Sequence, residues 1–317
     1  RGRMKTTNVT PEDLAGSVLS VPPLPLKSDL SLAEAECGRL VRHIEAGGVT
    51  TILWGGNAQL QHWPVGRYAE FLAMAEATAA AGSWVIPSIG PDYGKLLEEA
   101  KILAGTRFPT AMLLPMPAHT EHAGVARAVR DTVQAMGKPA IVYIRQANYI
   151  APEELGKLAA DGQVCAVKYA VNRPSFREDP YLAELVDSVG PERIVSGFGE
   201  IPAVGHLDAY HLAGFTAGCV CIAPRLSMRV LAALKARDIA GAERLLEPIR
   251  PLEDLREKLS PIRVIHEAVR LAGVADTGPI YPMFSNIEAR HHAVIEKAAL
   301  RLLEVEHELA AMPAAAE

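Results

Sequence analysis

The chain has 317 residues, of which 49% are hydrophobic and 22% are charged, and its formal net charge is −5. This composition supports a sizeable core and excludes a chain that is disordered throughout. The near balance of charge leaves no polyanion-binding face, so no nucleic-acid partner is expected. No apolar run is long enough to cross a membrane, and the polar N-terminal segment has no secretory signal. With only four cysteines, the sequence predicts a cytoplasmic globular protein.

Short apolar runs alternate with longer segments of helical period in the first two thirds of the chain. We predict eight strands, at 17–21, 49–53, 84–88, 110–114, 140–144, 164–168, 193–196 and 218–222. Helices are predicted between them, at 32–46, 65–81, 93–104, 121–136, 152–160, 179–189 and 201–213. Eight strands that alternate with helices indicate an α/β fold, the (β/α)8 TIM barrel. A doubly wound open sheet is the alternative, but the proline-rich segment after the first strand cannot cradle phosphate.

The pattern changes after residue 225, where almost all of the chain is predicted to be helical. The predicted helices lie at 227–236, 239–258, 261–272 and 286–311. A barrel needs only one of them, so the others form a C-terminal helical extension with a buried seam at Leu252, Leu255, Leu259 and Ile262. The predicted organisation is a barrel at 14–225 and the last barrel helix with the extension at 226–311. The segments 1–13 and 312–317 are predicted to be flexible.

Two polar residues near the C-terminal ends of neighbouring strands are the candidate catalytic groups, because TIM-barrel active sites lie at that end. Side-chain alternation places Lys168 of the sixth strand and Tyr143 of the fifth strand at the barrel mouth if both point inward. A lysine above an apolar layer loses charge, and its neutral amine can form a Schiff base with a ketone. The phenol can carry protons. A solvated or ion-paired lysine at the barrel rim is the alternative that spacing alone leaves open.

The sequence around these residues resembles the dihydrodipicolinate synthase/N-acetylneuraminate lyase superfamily of Schiff-base aldolases and dehydratases. The resemblance spans roughly residues 14–298 and rests on Val-Lys at 167–168, Val-Tyr at 142–143, Gly55, Ser-Gly at 196–197 and residues 218–223. It implies that Lys168 is the Schiff-base lysine and that Tyr143 transfers protons. It also implies no cofactor or metal, and assembly into a homotetramer or homodimer.

The chain departs from this family in the residues that bind the substrate. Where the family commonly has GTTGE, this chain has GGNAQ, so carboxylate binding is assigned to Gly56 and Asn57 through backbone N–H and amide groups. The second tyrosine of the synthase's PYY segment is absent from 115–117. The position of its carboxylate-binding arginine aligns with Asn148, and Arg145 is a candidate substitute. Gly197 completes the predicted substrate-binding residues.

The predicted function is therefore a Schiff-base lyase, an aldolase or dehydratase, that acts on a pyruvate-like 2-oxo acid. The departures argue against dihydrodipicolinate synthesis itself and favour an extended sugar acid, whose far end Arg145 would bind. An ion pair of Arg145 with Glu153 or Glu154 is the alternative for that residue. The alternative function is a non-catalytic member of the fold that binds a small carboxylate.

Three further groups of residues have side chains that could bind a metal or contact a substrate. His119, Glu121 and His122 would serve a third possible function, a barrel isomerase or metal-dependent lyase. Cys219 and Cys221 share one face of the predicted eighth strand, where packing is favoured over metal binding. Glu200 follows the seventh strand and either faces a substrate hydroxyl or caps the next helix.

Overall fold

Eight parallel strands close into a barrel in the order in which they follow one another along the chain. The computed structural model describes residues 4–313. The strands are β1 (Leu19–Ser20), β2 (Thr51–Trp54), β3 (Trp84–Ile89), β4 (Ala111–Leu113), β5 (Ala140–Ile144), β6 (Val164–Tyr169), β7 (Ile194–Ser196) and β8 (Gly214–Ala217). The predicted TIM barrel is confirmed.

Helices surround the barrel, and a C-terminal helical extension follows them. A short helix, α1 (Pro11–Ala15), precedes β1, and the barrel helices are α2 (Glu34–Ala46), α3 (Tyr68–Thr78), α4 (Tyr93–Ala104), α5 (His122–Met136), α6 (Pro152–Ala160), α7 (Pro180–Val189), α8 (Glu200–Tyr210) and α9 (Pro224–Lys235). The extension consists of α10 (Ile239–Leu245), α11 (Arg250–Lys258), α12 (Pro261–Leu271) and α13 (His292–Ala311). None of the helices within residues 4–313 combines the length and apolarity that crossing a membrane requires.

The strand registers determine which side chains point into the barrel. Met112, Ile141 and Ala166 are partners across β4, β5 and β6, and their side chains form part of the buried interior. Because side chains alternate along a strand, the next inward positions toward the C-terminal ends are Tyr143 and Lys168, which are also partners in register. The barrel thus has an apolar interior below and a polar layer above it.

The eighth strand lies four residues earlier than predicted. The sequence favoured 218–222 because it is the more apolar run, but β8 is Gly214–Ala217, and Cys219–Cys221 form a 3₁₀ turn after it. The closure of the barrel determines the position of β8, since Thr216 pairs with Leu19 of β1 and Gly214 pairs with Val195 of β7. The prediction that Cys219 and Cys221 share a strand face is therefore wrong.

The predicted long helix at 239–258 is two helices, α10 and α11, separated by a turn at 246–249. At the N-terminus, Met4 is buried and the Lys5 N–H donates to the Ser83 carbonyl oxygen, so this part of the segment predicted to be flexible contacts the barrel. The remaining parts of that prediction at residues 1–3 and 314–317 lie outside the described residues.

Candidate active site at the barrel mouth

Lys168 and Tyr143 lie side by side at the C-terminal end of the barrel. Lys168 is only 4% exposed, and its Nζ lies 4.2 Å from the centre of the Tyr143 ring. Their pairing across β5 and β6 follows from the register of the two strands. The structure thus brings together the two residues to which the sequence assigned catalytic roles.

Gly197 provides the space through which the Lys168 side chain runs. A Cβ atom at position 197 would lie 3.0 Å from Lys168 Cγ and 3.1 Å from its Cε. Contacts this short are tighter than ordinary van der Waals packing, so a larger residue would displace the lysine. Gly197 therefore lies against the Lys168 side chain, and its predicted binding of substrate stays a prediction.

Burial changes the protonation of both residues. It lowers the pKa of Lys168 to about 7, and the nearby cations Arg145 and Arg256 act in the same direction. A substantial fraction of the amine is then neutral at neutral pH. Burial raises the pKa of Tyr143, an effect that Arg145 opposes, so the phenol keeps its proton. The phenol forms no hydrogen bond with another residue in the range 4–313.

Gly56 and Asn57 follow β2, which is four strands from β6 and hence on the opposite side of the mouth. Asn57 is 9% exposed, and its Nδ2 donates to the Val21 carbonyl oxygen at 2.7 Å, which fixes the amide. A Cβ atom at Gly56 would meet no atom within 4 Å, so the backbone there borders open space. This loop can therefore approach a ligand through its backbone.

Arg145 and Asn148 lie in the loop after β5, and both are exposed. Arg145 has no ion pair within the described part of the chain, so the alternative pairing with Glu153 or Glu154 is not observed. Those two carboxylates instead pair with Lys157, and Glu154 also pairs with Arg130. Arg145 is thus a free cation close enough to Lys168 to lower its pKa.

Arg256 is a residue at the mouth that the sequence analysis missed. It lies on α11 of the extension and is 9% exposed. Gly218 immediately follows β8, and a Cβ atom there would lie 2.8–3.0 Å from the Arg256 guanidinium atoms. The guanidinium donates from Nη1 to Glu253 Oε1 at 2.7 Å and from Nε to the Pro261 carbonyl oxygen at 3.0 Å.

A signal for Arg256 was present in the sequence. It lies four residues after Leu252, so both residues occupy the same buried face of α11. A charged residue within an apolar seam is seldom buried without a partner or a function. The buried seam predicted from the sequence contains only apolar residues, and it does not include Arg256.

Glu200 is fully buried, and its predicted roles, facing a substrate hydroxyl or capping the next helix, stay predictions. It begins α8, and its Oε1 accepts a hydrogen bond from the Ser227 hydroxyl at 2.7 Å. Burial, together with the charge of Glu253, raises its pKa to about 7. Glu253 also accepts a hydrogen bond from the Cys219 thiol at 2.9 Å.

The ligand atoms of Glu200, Cys219 and Glu253 lie within 4.8 Å of one another and could in principle hold a metal ion. The Arg256 guanidinium beside Glu253 and the protonated Cys219, whose pKa is raised by burial, both disfavour a cation there. The predicted alternative site is also not assembled. Glu121 caps the N-terminus of α5, whereas His119 and His122 are exposed.

The fold and the buried lysine define a (β/α)8-barrel protein with a helical extension over one side of its mouth. No protein-family model matches the chain. A curated relative from Streptomyces coelicolor, named probable 5-dehydro-4-deoxyglucarate dehydratase 1, is 24% identical over 250 residues, which cover 75% of this chain and 77% of the relative.

Solved structures of similar fold cover nearly the whole chain. The dihydrodipicolinate synthase of Bacillus clausii aligns with a TM-score of 0.75 and 23% identity, covering 92% of this chain and 98% of the other. The N-acetylneuraminate lyase of Proteus mirabilis aligns with a TM-score of 0.75 and 16% identity, over 95% and 99% of the two chains. The chain therefore has the same fold as these two enzymes, and the likeness to them that its sequence predicted is confirmed at the level of the fold.

Proposed function

We propose that this protein is a lyase that forms a Schiff base between Lys168 and a 2-oxo acid and then cleaves a C–C or C–O bond. The observation that carries this proposal is the lysine itself. It is 4% exposed, it contacts the Tyr143 ring, and burial lowers its pKa to about 7. A buried amine without a carboxylate partner is suited to nucleophilic attack.

The chemistry follows from the neutral amine. Nζ of Lys168 attacks the ketone carbon, and a proton moves from nitrogen to the former carbonyl oxygen to give a carbinolamine. Donation of a further proton to its hydroxyl group lets water leave and gives a protonated imine. The imine withdraws electrons from the neighbouring carbon. It can accept the electron pair of a breaking C–C bond, as in an aldolase. It can also lose a proton to give an enamine that expels a hydroxyl group, as in a dehydratase.

Tyr143 is proposed to move the protons in these steps. Its phenol is protonated and forms no hydrogen bond within residues 4–313, and its ring contacts Nζ, so it can donate a proton to the departing water and receive one afterwards. The backbone at Gly56 and the amide of Asn57 are proposed to bind the carboxylate next to the ketone. Arg145 and Asn148, in the loop after β5, are proposed to contact the far end of the substrate.

An extended sugar acid is the proposed substrate class. The curated relative is named as a dehydratase of 5-dehydro-4-deoxyglucarate, a sugar acid. In this chain, the exposed and unpaired Arg145 provides a cation for a polar substrate end. The prediction that dihydrodipicolinate synthesis is not the activity remains part of the proposal.

Reductive trapping tests the function directly. The protein is incubated with pyruvate and borohydride, and intact mass spectrometry then measures the adduct. We expect one reduced adduct per chain in the wild type and none in Lys168→Ala, with Lys157→Ala as an exposed-lysine control that still forms it. Folded wild-type protein without an adduct would overturn the proposal. Retained binding of 2-oxo acids by Lys168→Ala, without turnover by the wild type, would favour the carboxylate-binding alternative.

We also propose that the protein acts as a homodimer or homotetramer, as its resemblance implies, and that activity is indifferent to chelators. The arginine beside Glu253 supports the second point, because it neutralises the best cluster of ligand atoms in residues 4–313. Light scattering measures the assembly, and activity assays with and without EDTA measure metal dependence.

A further inference from the structure

The extension places a buried cation over the barrel mouth, on the side of β8. Gly218 immediately follows β8 at the C-terminal end of the barrel, and it begins the 3₁₀ turn Cys219–Cys221 with a helical backbone conformation. The Arg256 guanidinium fills the space that a side chain at 218 would take. Arg256 is thus a residue of the mouth, although it belongs to a helix outside the barrel.

The hydrogen bonds of Arg256 hold it in one orientation and leave one nitrogen free. Nη1 donates to Glu253 Oε1, and Nε donates to the Pro261 carbonyl oxygen. Nη2 has no partner in the described part of the chain. It is one of the guanidinium atoms closest to Gly218. Nη2 is not among the side-chain atoms that are shut off from solvent without a partner, so it can donate to a ligand that enters from solvent.

We propose that Arg256 binds a second carboxylate of the substrate, at the end away from the ketone, and so selects dicarboxylic 2-oxo acids. This inference rests on the proposed function and assigns its substrate class. Arg145 follows β5, on one side of β6. Arg256 lies beside the residue after β8, on the other side of β6. A substrate held as an imine at Lys168 therefore has a cation on each side.

The charges of the mouth agree with a substrate that carries two negative charges. Two arginines, Arg145 and Arg256, face one carboxylate, Glu253, which pairs with Arg256, so the formal charges leave an excess of one positive charge. The protonated imine adds a second. Glu200, the other acid in this region, holds its proton below about pH 7 and adds little negative charge. A dicarboxylate neutralises this site, whereas a monocarboxylate leaves one positive charge without a counter-charge.

Matched pairs of 2-oxo acids test the proposal. The concentration of 2-oxoglutarate that half-saturates reductive trapping is compared with that of 2-oxopentanoate, which has the same number of carbons but one carboxylate. At pH 9, where the Lys168 amine is largely neutral, we expect Arg256→Gln to raise the value for 2-oxoglutarate about 10- to 100-fold and to change that for 2-oxopentanoate by less than about twofold. Arg250→Gln, an exposed arginine on the same helix, is the control and should change neither value.

An equal change for both acids, or no change for either, would overturn the proposal, since an effect on Lys168 alone acts on both substrates alike. If Arg256→Gln does not fold, the double variant Glu253→Gln/Arg256→Gln removes both charges together and is compared in the same way.

If the wild type traps no 2-oxo acid, the proposed function fails, and calorimetry with the same two acids tests the subsite alone. A wild-type preference for 2-oxoglutarate that Arg256→Gln abolishes supports the subsite, and equal affinities overturn it.

Discussion

At the scale of single residues, the electrostatic surroundings of Lys168 determine at which pH its amine becomes neutral. Its folded-state pKa of about 7 lies below the ordinary value of 10.5, first because of burial and then because of Arg145 and Arg256. The neutral, reactive form therefore grows as the pH rises through about 7. An exposed lysine would become reactive only three units higher.

The rate of imine formation is expected to follow this titration. It should rise with pH, reach half its maximum near pH 7, and level off above that value. Arg145→Gln removes a cation that lowers the pKa, so the rise should move to higher pH. Cyanoborohydride trapping across the pH range measures the profile. Arg127→Gln replaces an exposed arginine on α5 and should leave the pH profile unchanged. A midpoint near pH 10 in the wild type would contradict the prediction.

Tyr143→Phe is expected to slow turnover about 10²- to 10⁴-fold, the usual contribution of a positioned proton-transfer group. Stability should change little, because the phenol makes no hydrogen bond in the described range and the ring that contacts Lys168 is retained. Steady-state kinetics and thermal melting measure the two effects. Comparable loss of activity and of thermal stability would show instead that the tyrosine is structural.

At the scale of elements, a network of hydrogen bonds around one carboxylate connects β6 to the start of α7. Tyr169, next to Lys168, donates its hydroxyl to Asp179 Oδ2 at 2.6 Å, and Asp179 caps α7 by accepting from the Leu182 N–H. Arg173 pairs with the same carboxylate, which is 1% exposed. The network anchors the strand that carries the lysine to the helix that follows it.

Removing that carboxylate is expected to be costly. Asp179→Ala leaves Arg173 and the buried Tyr169 hydroxyl without their acceptor and removes the helix cap. We expect a loss of about 3–5 kcal/mol in the free energy of unfolding, measured by urea denaturation. Asp187→Ala, an exposed aspartate on the same helix, should cost less than about 0.5 kcal/mol. Equal effects of the two substitutions would contradict the role assigned to the network.

At the scale of the whole molecule, the extension and the barrel share one core. Ile295, Ala299 and Leu302 of α13 belong to the same buried cluster as the barrel strands. Glu306 of α13 is 2% exposed and accepts hydrogen bonds from the Arg225 backbone N–H and from its Nη1. Arg225 also donates to the Ala46 carbonyl oxygen, so this contact joins α13, α9 and the end of α2.

Glu306→Ala is expected to lower the free energy of unfolding of the entire chain by about 1.5–3 kcal/mol, because it removes charged hydrogen bonds that are buried. Fluorescence and circular dichroism should still report one coincident transition. Glu308→Ala, two residues later and exposed, is the control. Two separate transitions would show that the extension unfolds independently of the barrel.

The sequence alone determined the architecture and the central pair of the site. Alternation of short apolar runs with helical segments predicts the barrel, because each parallel strand needs a crossover helix. The juxtaposition of Lys168 and Tyr143 was also predictable. Sequential strands are neighbours in this barrel, and the two-residue period of a strand determines which side chains share a face.

Tertiary structure alone decided the position of β8 and the presence of Arg256 at the mouth. Local apolarity favoured 218–222 as a strand, but pairing with β1 and β7 selects 214–217, and the apolar run is instead buried as a turn. The contact between Arg256 and Gly218 depends on how α11 docks on the closed barrel. Such a contact joins residues far apart in the chain, and neither the period of a helix nor that of a strand carries information about it.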